Sequence, residues 1–272
     1  MNTMKQVIGL VILGLFCSNA VLAENNDDQQ PQGVSQSGRI INGIDAKIEN
    51  HKYTLFLRIG SEHCAAVIIT ASHALTAGHC VYTVGDDISK VILYGGSTFS
   101  KPNGTPIPVL KVAVHPDYKG PDEYDGRDFD IAVLTVAKNA FKGKQNMARI
   151  ALQTSELPLY TRCFVVGWGR TDFKVQRASK DLRYTDMEIT PLDICIAVWK
   201  KYRKVSDNTI CALNKKGADT CRGDSGGPFV CGGKLTGITS FSHRFCTGEW
   251  PAGFVKIMAP SISSFIESQT KA

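Results

Sequence analysis

From residue 40 onward the chain presents short apolar runs separated by turn residues, with no long amphipathic stretches. Nine runs read as strands: Tyr53–Ile59, Ala65–Thr70, Lys90–Tyr94, Ile107–Val114, Asp130–Val136, Cys163–Val166, Pro228–Cys231, Leu235–Phe241 and Gly253–Ile257. Each gathers apolar and β-branched residues between Gly, Pro, Asn or Asp punctuation. One stretch breaks the rhythm. In Ser261–Ser268, Ile262, Phe265 and Ile266 fall three and four apart, the spacing of one helix face, with Ser261 as the starting cap. Between Ala137 and Thr161 the strand signal fades, which marks a crossover between two β units. The pattern predicts an all-β chain with a short C-terminal helix, and 25 Gly with 11 Pro suit its many turns.

The N-terminal run differs. Lys5 precedes the apolar segment Val7–Phe16, followed by Ser18, Asn19 and Val21-Leu22-Ala23. A bilayer span takes about 20 residues, so the segment is too short to cross and reads as a secretory signal peptide cut after Ala23. Residues 24 to 38 are almost devoid of apolar side chains and are expected to be disordered. They end at Arg39, directly before Ile40-Ile41-Asn42-Gly43; a basic residue closing a flexible segment is an open target for a protease. The expected organisation is a signal peptide over 1–23, a propeptide over 24–39 and one folded domain over 40–272, in a secreted, extracellular protein.

Cysteine usage agrees. Of 9 cysteines, Cys17 falls in the leader, and an even number in the rest of a secreted chain implies disulfides. Spacing alone leaves roughly a hundred connectivities open. No Cys-x-x-Cys pair occurs, so neither a metal site nor a cofactor is expected. The composition, 43% hydrophobic and 21% charged, supports a sizeable core. A mean hydropathy of -0.08 excludes a polytopic membrane protein. The net charge of +6 fits an anionic partner without requiring nucleic acid. Asn103-Gly104-Thr105 is the chain's glycosylation sequon.

The densest chemical signal is Cys221-Arg222-Gly223-Asp224-Ser225-Gly226-Gly227-Pro228. Glycines on both sides of a serine let the chain turn tightly, expose the hydroxyl and converge N–H groups on an incoming oxygen. A hydroxyl needs a base to become nucleophilic. His79 is the best placed, beside Cys80 at the end of an apolar run; His51, His63, His73, His115 and His243 suit surface or core positions better. The third member must be a carboxylate that tolerates burial. Asp130 opens the apolar run Ile131-Ala132-Val133-Leu134, where an unpaired charge would be costly. The order His, Asp, Ser is that of chymotrypsin-type triads.

On these residues the sequence resembles the trypsin/chymotrypsin family of serine endopeptidases from Ile40 to Ala272. Ala77-Gly78-His79-Cys80 matches the histidine motif, with Gly for the commoner second Ala. Asp130-Ile131-Ala132-Val133-Leu134 matches the aspartate motif, and Gly223 to Pro228 the serine motif. Gly167-Trp168-Gly169 and Ser240-Phe241-Ser242 match two further landmarks, the latter with Phe for the usual Trp. The resemblance implies two packed six-stranded antiparallel β-barrels with the site between them. It implies the disulfides Cys64–Cys80, Cys163–Cys231, Cys195–Cys211 and Cys221–Cys246. It implies a triad of His79, Asp130 and Ser225, an oxyanion hole from the N–H groups of Gly223 and Ser225, and a hydrogen bond from Ser240 near Asp130. Cleavage after Arg39 would free the α-amino group of Ile40 to pair with Asp224. Family calcium loops carry acidic ligands, and Tyr94 to Val109 has none, so no calcium is expected there.

Partners implied are protein or peptide substrates, an activating trypsin-like protease and protein inhibitors, with the chain a monomer and no nucleic acid or membrane involved. Asp219, six residues before Ser225, marks the floor of the specificity pocket and predicts cleavage after Lys or Arg. Trypsins usually line that pocket with two glycines, where this chain has Ser242 and Ala252. The expected activity is therefore weaker and narrower than that of a typical trypsin, with Arg244 near the rim and Arg127 bounding the neighbouring subsite. The competing expectation is a preference for small or apolar residues, with Asp219 masked. Ala65-Ala66 stands where the family usually has Gly-Gly, which bears on leaving-group binding. Two other classes compete: a non-catalytic homologue serving as a scaffold, and an anion-binding protein using Trp199-Lys200-Lys201-Tyr202-Arg203-Lys204. The intact triad residues weigh against the first. The second cluster reads as a solvated face.

Overall fold

The computed structural model describes residue 40 and residues 43–271, apart from residues 86, 101–103, 122–123, 125–126, 173 and 175–176. The expected leader, the propeptide with Arg39 and the Asn103 sequon lie outside the described residues. A short strand, β1 (Ile44–Asp45), precedes the first barrel. That barrel comprises β2 (Thr54–Ile59), β3 (Glu62–Ile68), β4 (His73–Thr76), β5 (Val91–Gly95), β6 (Thr105–Val114) and β7 (Ala132–Val136). It closes in the order β2-β3-β4-β7-β6-β5. The second barrel comprises β8 (Arg162–Gly167), β9 (Arg183–Thr190), β10 (Thr209–Leu213), β11 (Pro228–Cys231), β12 (Lys234–Phe241) and β13 (Ala252–Lys256). Its order is β9-β10-β13-β12-β11-β8, and pairing of β8 with β9 closes the ring. The molecule is thus two closed six-stranded antiparallel barrels with few helices. The helical segments are α1 (Gly78–Val81), α2 (Leu192–Trp199), the C-terminal α3 (Pro260–Thr270) and three short 3-10 turns.

Each barrel fills its own interior. Leu55, Leu57, Ala66, Ile68, Leu93 and Leu134 meet inside the first. Val165, Met187, Phe229 and Phe254 meet inside the second, with the two phenylalanine rings stacked at 4.2 Å. A third cluster forms the seam between them. Val67, Leu75, Ile131 and Val133 from the first barrel pack with Val230, Leu235, Ile238 and Val255 from the second. Strands such as β3 are therefore covered on both faces, and their sequences run continuously apolar instead of alternating. Helix α3 seals the seam with Ile262, Phe265 and Ile266, the face that the spacing predicts. It begins at Pro260, one residue earlier than the Ser261 start, because Pro is preorganised for the first helical position.

Four strands and two α-helices go beyond the sequence reading: β1, β4, β9, β10, α1 and α2. Strand β9 alternates cleanly, but two of its four inward residues are Arg183 and Thr185, so its apolar signal is halved. Buried Arg183 is held by Asp45 at 2.6 Å and by the carbonyl of Gly43 at 3.1 Å, which ties β1 to β9. The crossover segment 137–161 contains no named strand and touches the second barrel through a bridge of Leu152 to Leu235. Disulfides join Cys64 to Cys80, Cys163 to Cys231, Cys195 to Cys211 and Cys221 to Cys246, the four pairings that the resemblance implies.

Candidate active site

Strand β4 delivers the chain to α1, a single turn that presents His79, while Asp130 stands just ahead of β7 after Phe129, whose φ is +56°. Strands β4 and β7 are paired, so the two side chains meet. Asp130 has no exposed surface and accepts four hydrogen bonds. The backbone N–H of His79 reaches Oδ1 at 2.7 Å, and Nδ1 of His79 reaches Oδ2 at 2.8 Å. Ser240 Oγ donates to Oδ2 at 2.5 Å and Arg127 at 3.3 Å. Burial alone would raise this carboxyl, but His79, Arg127 and Ser240 hold it down at about 2. A carboxylate only accepts, so Nδ1 of His79 carries the proton and Nε2 is left as an acceptor. The Cys64–Cys80 bridge lies behind the ring, with Cys80 Sγ 3.8 Å from Nε2. A Cβ on Gly78 would stand 3.3 Å from Asp130 Oδ1 and 3.2 Å from the Ile131 nitrogen, so the glycine loosens a contact that alanine would tighten.

The turn carrying Ser225 is pinned to the first barrel. Its carbonyl accepts the Ala65 N–H at 2.8 Å. Gly226 has φ +80°, and a Cβ there would stand 2.2 Å from Thr76 Oγ1 and 2.3 Å from the Ala65 oxygen. The turn thus seats against the residues that lead into His79. Gly223 has φ +101°, and His63 Nε2 lies 2.3 Å from where its Cβ would be. Of the two alanines in place of Gly-Gly, Ala66 faces the first barrel's interior, while Ala65 is buried beside the Ser225 turn.

Asp224 is buried and accepts the N–H of Gly169 at 2.7 Å and of Cys221 at 2.9 Å. Burial outweighs these donors and pushes its carboxyl up to about 6. Ile40 is also buried, with φ +39°, a left-handed conformation unfavourable for a β-branched residue.

Asp219 is 1% exposed. Neutral donors from Gly248 and Thr220 face it, and burial pushes it up to about 7. Its Oδ2 has no hydrogen-bond partner among the described residues. Ser242 Oγ donates to the Thr220 carbonyl at 2.9 Å, so the two walls above Asp219 are joined. Ala252 is fully buried and packs in the second barrel's core. The open cavity beside Ser225, about 200 Å³, is lined by Ser240 and Ser242 and by Arg127, Arg203, Arg222 and Arg244; Asp219 and Ala252 are not among its lining.

Arg203 is the lining residue that sequence reasoning assigned to a solvated face. Within Trp199 to Lys204 the lysines are exposed, but Trp199 is buried and donates from Nε1 to the Pro251 carbonyl at 2.8 Å. Arg203 turns with it, half-buried, over Phe241 at 4.4 Å and Trp199 at 5.1 Å. The four-residue spacing of Trp199 and Arg203 is the one-face signal that separates them from the lysines.

Comparison with known proteins agrees with this architecture. The trypsin family model matches residues 40–264, and the chain belongs to that family. Trypsin theta of Drosophila melanogaster is 29% identical over 263 residues, 95% of each chain. Trypsin iota of the same fly is 32% identical over 236 residues, covering 84% of this chain and 89% of its own. Among solved structures, neuropsin, a serine protease expressed in the limbic system of mouse brain, superposes with a TM-score of 0.73 at 25% identity, over 84% of this chain and 98% of its own. Among the described residues no helix is long and apolar enough to cross a membrane.

Proposed function

We propose that the chain is a secreted serine endopeptidase, made as a zymogen, that cuts peptide bonds after Lys or Arg. Ser225 attacks the peptide carbonyl while Nε2 of His79 takes its proton and later returns it to the leaving amine. Asp130 orients His79 and stabilises its cation, and the N–H groups of Gly223 and Ser225 hold the oxyanion. The observation that carries this reading is the His79–Asp130 pair, with a fully buried carboxylate kept ionised beside the Ser225 turn. Asp224 supports the activation step: a buried carboxylate met only by backbone N–H groups is a seat for the ammonium that cleavage after Arg39 would free at Ile40. Asp219, with an unpartnered buried oxygen, is likewise a seat for a substrate cation.

The test compares hydrolysis of Lys and Arg peptides by uncut chain, by chain cut after Arg39, and by cut Ser225→Ala and Asp130→Asn. Both substitutions should lower kcat by about 10⁴-fold or more, as in chymotrypsin-type triads. Uncut chain as active as cut chain would overturn the zymogen reading, and full turnover by Ser225→Ala would overturn the mechanism. A second reading, preference for small or apolar residues, is supported by the Ser242–Thr220 bond over Asp219. A cleavage profile favouring Ala, Val or Phe over Lys and Arg selects it.

A further inference from the structure

The cavity beside Ser225 is lined by four arginines, and among the described residues no carboxylate lines it. Asp130 behind the wall engages one nitrogen of Arg127. Among the described residues Arg203, Arg222 and Arg244 have no ion-pair partner. Burial, with the repulsion of Arg127 added, pulls Arg203 down to about 10. Arg127 and Arg203 are half-buried and Arg222 and Arg244 exposed, and like charges gathered in one place repel each other until an anion arrives between them.

Arg203 is also held in place, over the buried rings of Phe241 and Trp199, which leave its planar fork in a fixed direction, the condition for two-point binding of a carboxylate. Arg244 lies 4.5 Å over the exposed Phe245 ring. Chain continuity gives the register. Thr220 and Cys221, which follow Asp219 in sequence, line the cavity together with Ser225 and Ser240 to Arg244. A basic side chain aimed at Asp219 would pass Thr220 and Cys221. The residues preceding it in the substrate then run along the arginines.

We infer that the cleft selects acidic side chains, Asp or Glu, in the positions just before the Lys or Arg of the cut bond, an inference that rests on the proposed endopeptidase reading. Arg127 and Arg203 receive the carboxylate nearest the cut, and Arg222 and Arg244 at the rim receive those arriving from solvent. Basic residues in the same positions are repelled.

The test uses chain cut after Arg39 and a peptide library randomised at the four positions before the cut bond, the last included. Asp and Glu should exceed Asn and Gln by about tenfold in kcat/KM at one or more of the three preceding positions, the contribution of one well-formed charged pair. Raising NaCl should shrink that ratio, and Arg203→Gln with Arg244→Gln should bring it close to one. Because the last position is randomised as well, cleavage after residues other than Lys or Arg overturns the primary specificity while leaving the acidic preference readable. Fluorescence anisotropy of the same peptides on Ser225→Ala reads the preference without turnover. Equal use of acidic and amide residues, or a preference for basic ones, overturns the inference. Displacement of the peptides by heparin oligosaccharides, with no acidic preference among the peptides themselves, overturns it too and assigns the arginines to a sulfated glycan.

Discussion

Asp130, ahead of the first barrel's β7, and Asp219, beside the Ser225 turn in the second half, are both buried carboxylates, and they behave in opposite ways. Desolvation opposes ionisation in each. Around Asp130 stand an imidazole, a guanidinium and a hydroxyl, and the carboxyl is held at about 2. Asp219 has neutral donors for partners and a second carboxylate, Asp224, near it, and burial with that repulsion carries it up to about 7. Asp224, met by two backbone N–H groups, resembles Asp219 and sits at about 6. Burial is therefore common to all three, and the presence of a cation separates them. One site is complete within the chain, whereas the other two are completed by something that arrives: a substrate side chain for Asp219 and a new N-terminus for Asp224 in the proposed function.

The comparison is broken most directly at Asp219. Asp219→Asn should lower kcat/KM on Lys and Arg peptides by about 10³-fold, the weight of one lost partner in a buried charge pair, while peptides with norleucine at that position change little. The pH dependence follows. Asp219 binds a cation only when ionised, so the preference for Lys over norleucine should level off above pH 7 and fall about tenfold per unit below it. A ratio that stays near one between pH 5 and 8 would show that no cation reaches this carboxylate.

Asp224 sharpens the comparison through stability. Its folded value lies above the ordinary carboxylate value, so the uncut chain loses stability as pH climbs from about 4 to about 6 and stays lowered beyond. In chain cut after Arg39 the ammonium of Ile40 offsets this loss. The cut form should be more stable by roughly 3 kcal/mol near pH 7, with the difference shrinking towards pH 4. Denaturant melts of both forms at several pH values check it, and a pH-independent difference would separate Ile40 from Asp224.

The smallest effect concerns Ser242. Its hydroxyl joins the walls above Asp219, and opening them breaks one hydrogen bond of about 1 kcal/mol. Ser242→Gly should raise kcat/KM on Lys and Arg peptides by roughly fivefold, mainly through KM. A loss of activity would instead give the Ser242–Thr220 bond a role in shaping the pocket.

Much of this was legible in the sequence for local reasons. Short apolar runs between turn residues disclosed nine of the strands, and α3 was visible in three residues on one face. Strand β9 was hidden because Arg183 and Thr185 take inward positions, and their partners, Asp45 and Gly43 among them, are far away in sequence. The motif residues around His79, Asp130 and Ser225 each stood in a recognisable context, and the structure brings His79 to Asp130 at 2.8 Å. The arginine wall was not legible as a unit. Arg127, Arg203, Arg222 and Arg244 come from separate segments, and Arg203 stands among exposed lysines. Only the packing of Trp199 beneath it turns that one charge inward.

The disulfides have a consequence for how the molecule responds to temperature. One bridge lies within the first barrel's half and three within the second's, so no disulfide crosses the seam, and the halves are joined by packed side chains, the main chain and hydrogen bonds such as Ser240 to Asp130 and Ala65 to Ser225. Hydrophobic contact weakens on cooling, whereas a covalent staple does not. The apolar contact across that seam, beside which the Ser225 turn seats against the residues leading into His79, therefore weakens as the molecule cools. The working temperature of the molecule has a lower bound as well as an upper one, and the lower bound belongs to Val67, Leu75, Ile238 and their neighbours.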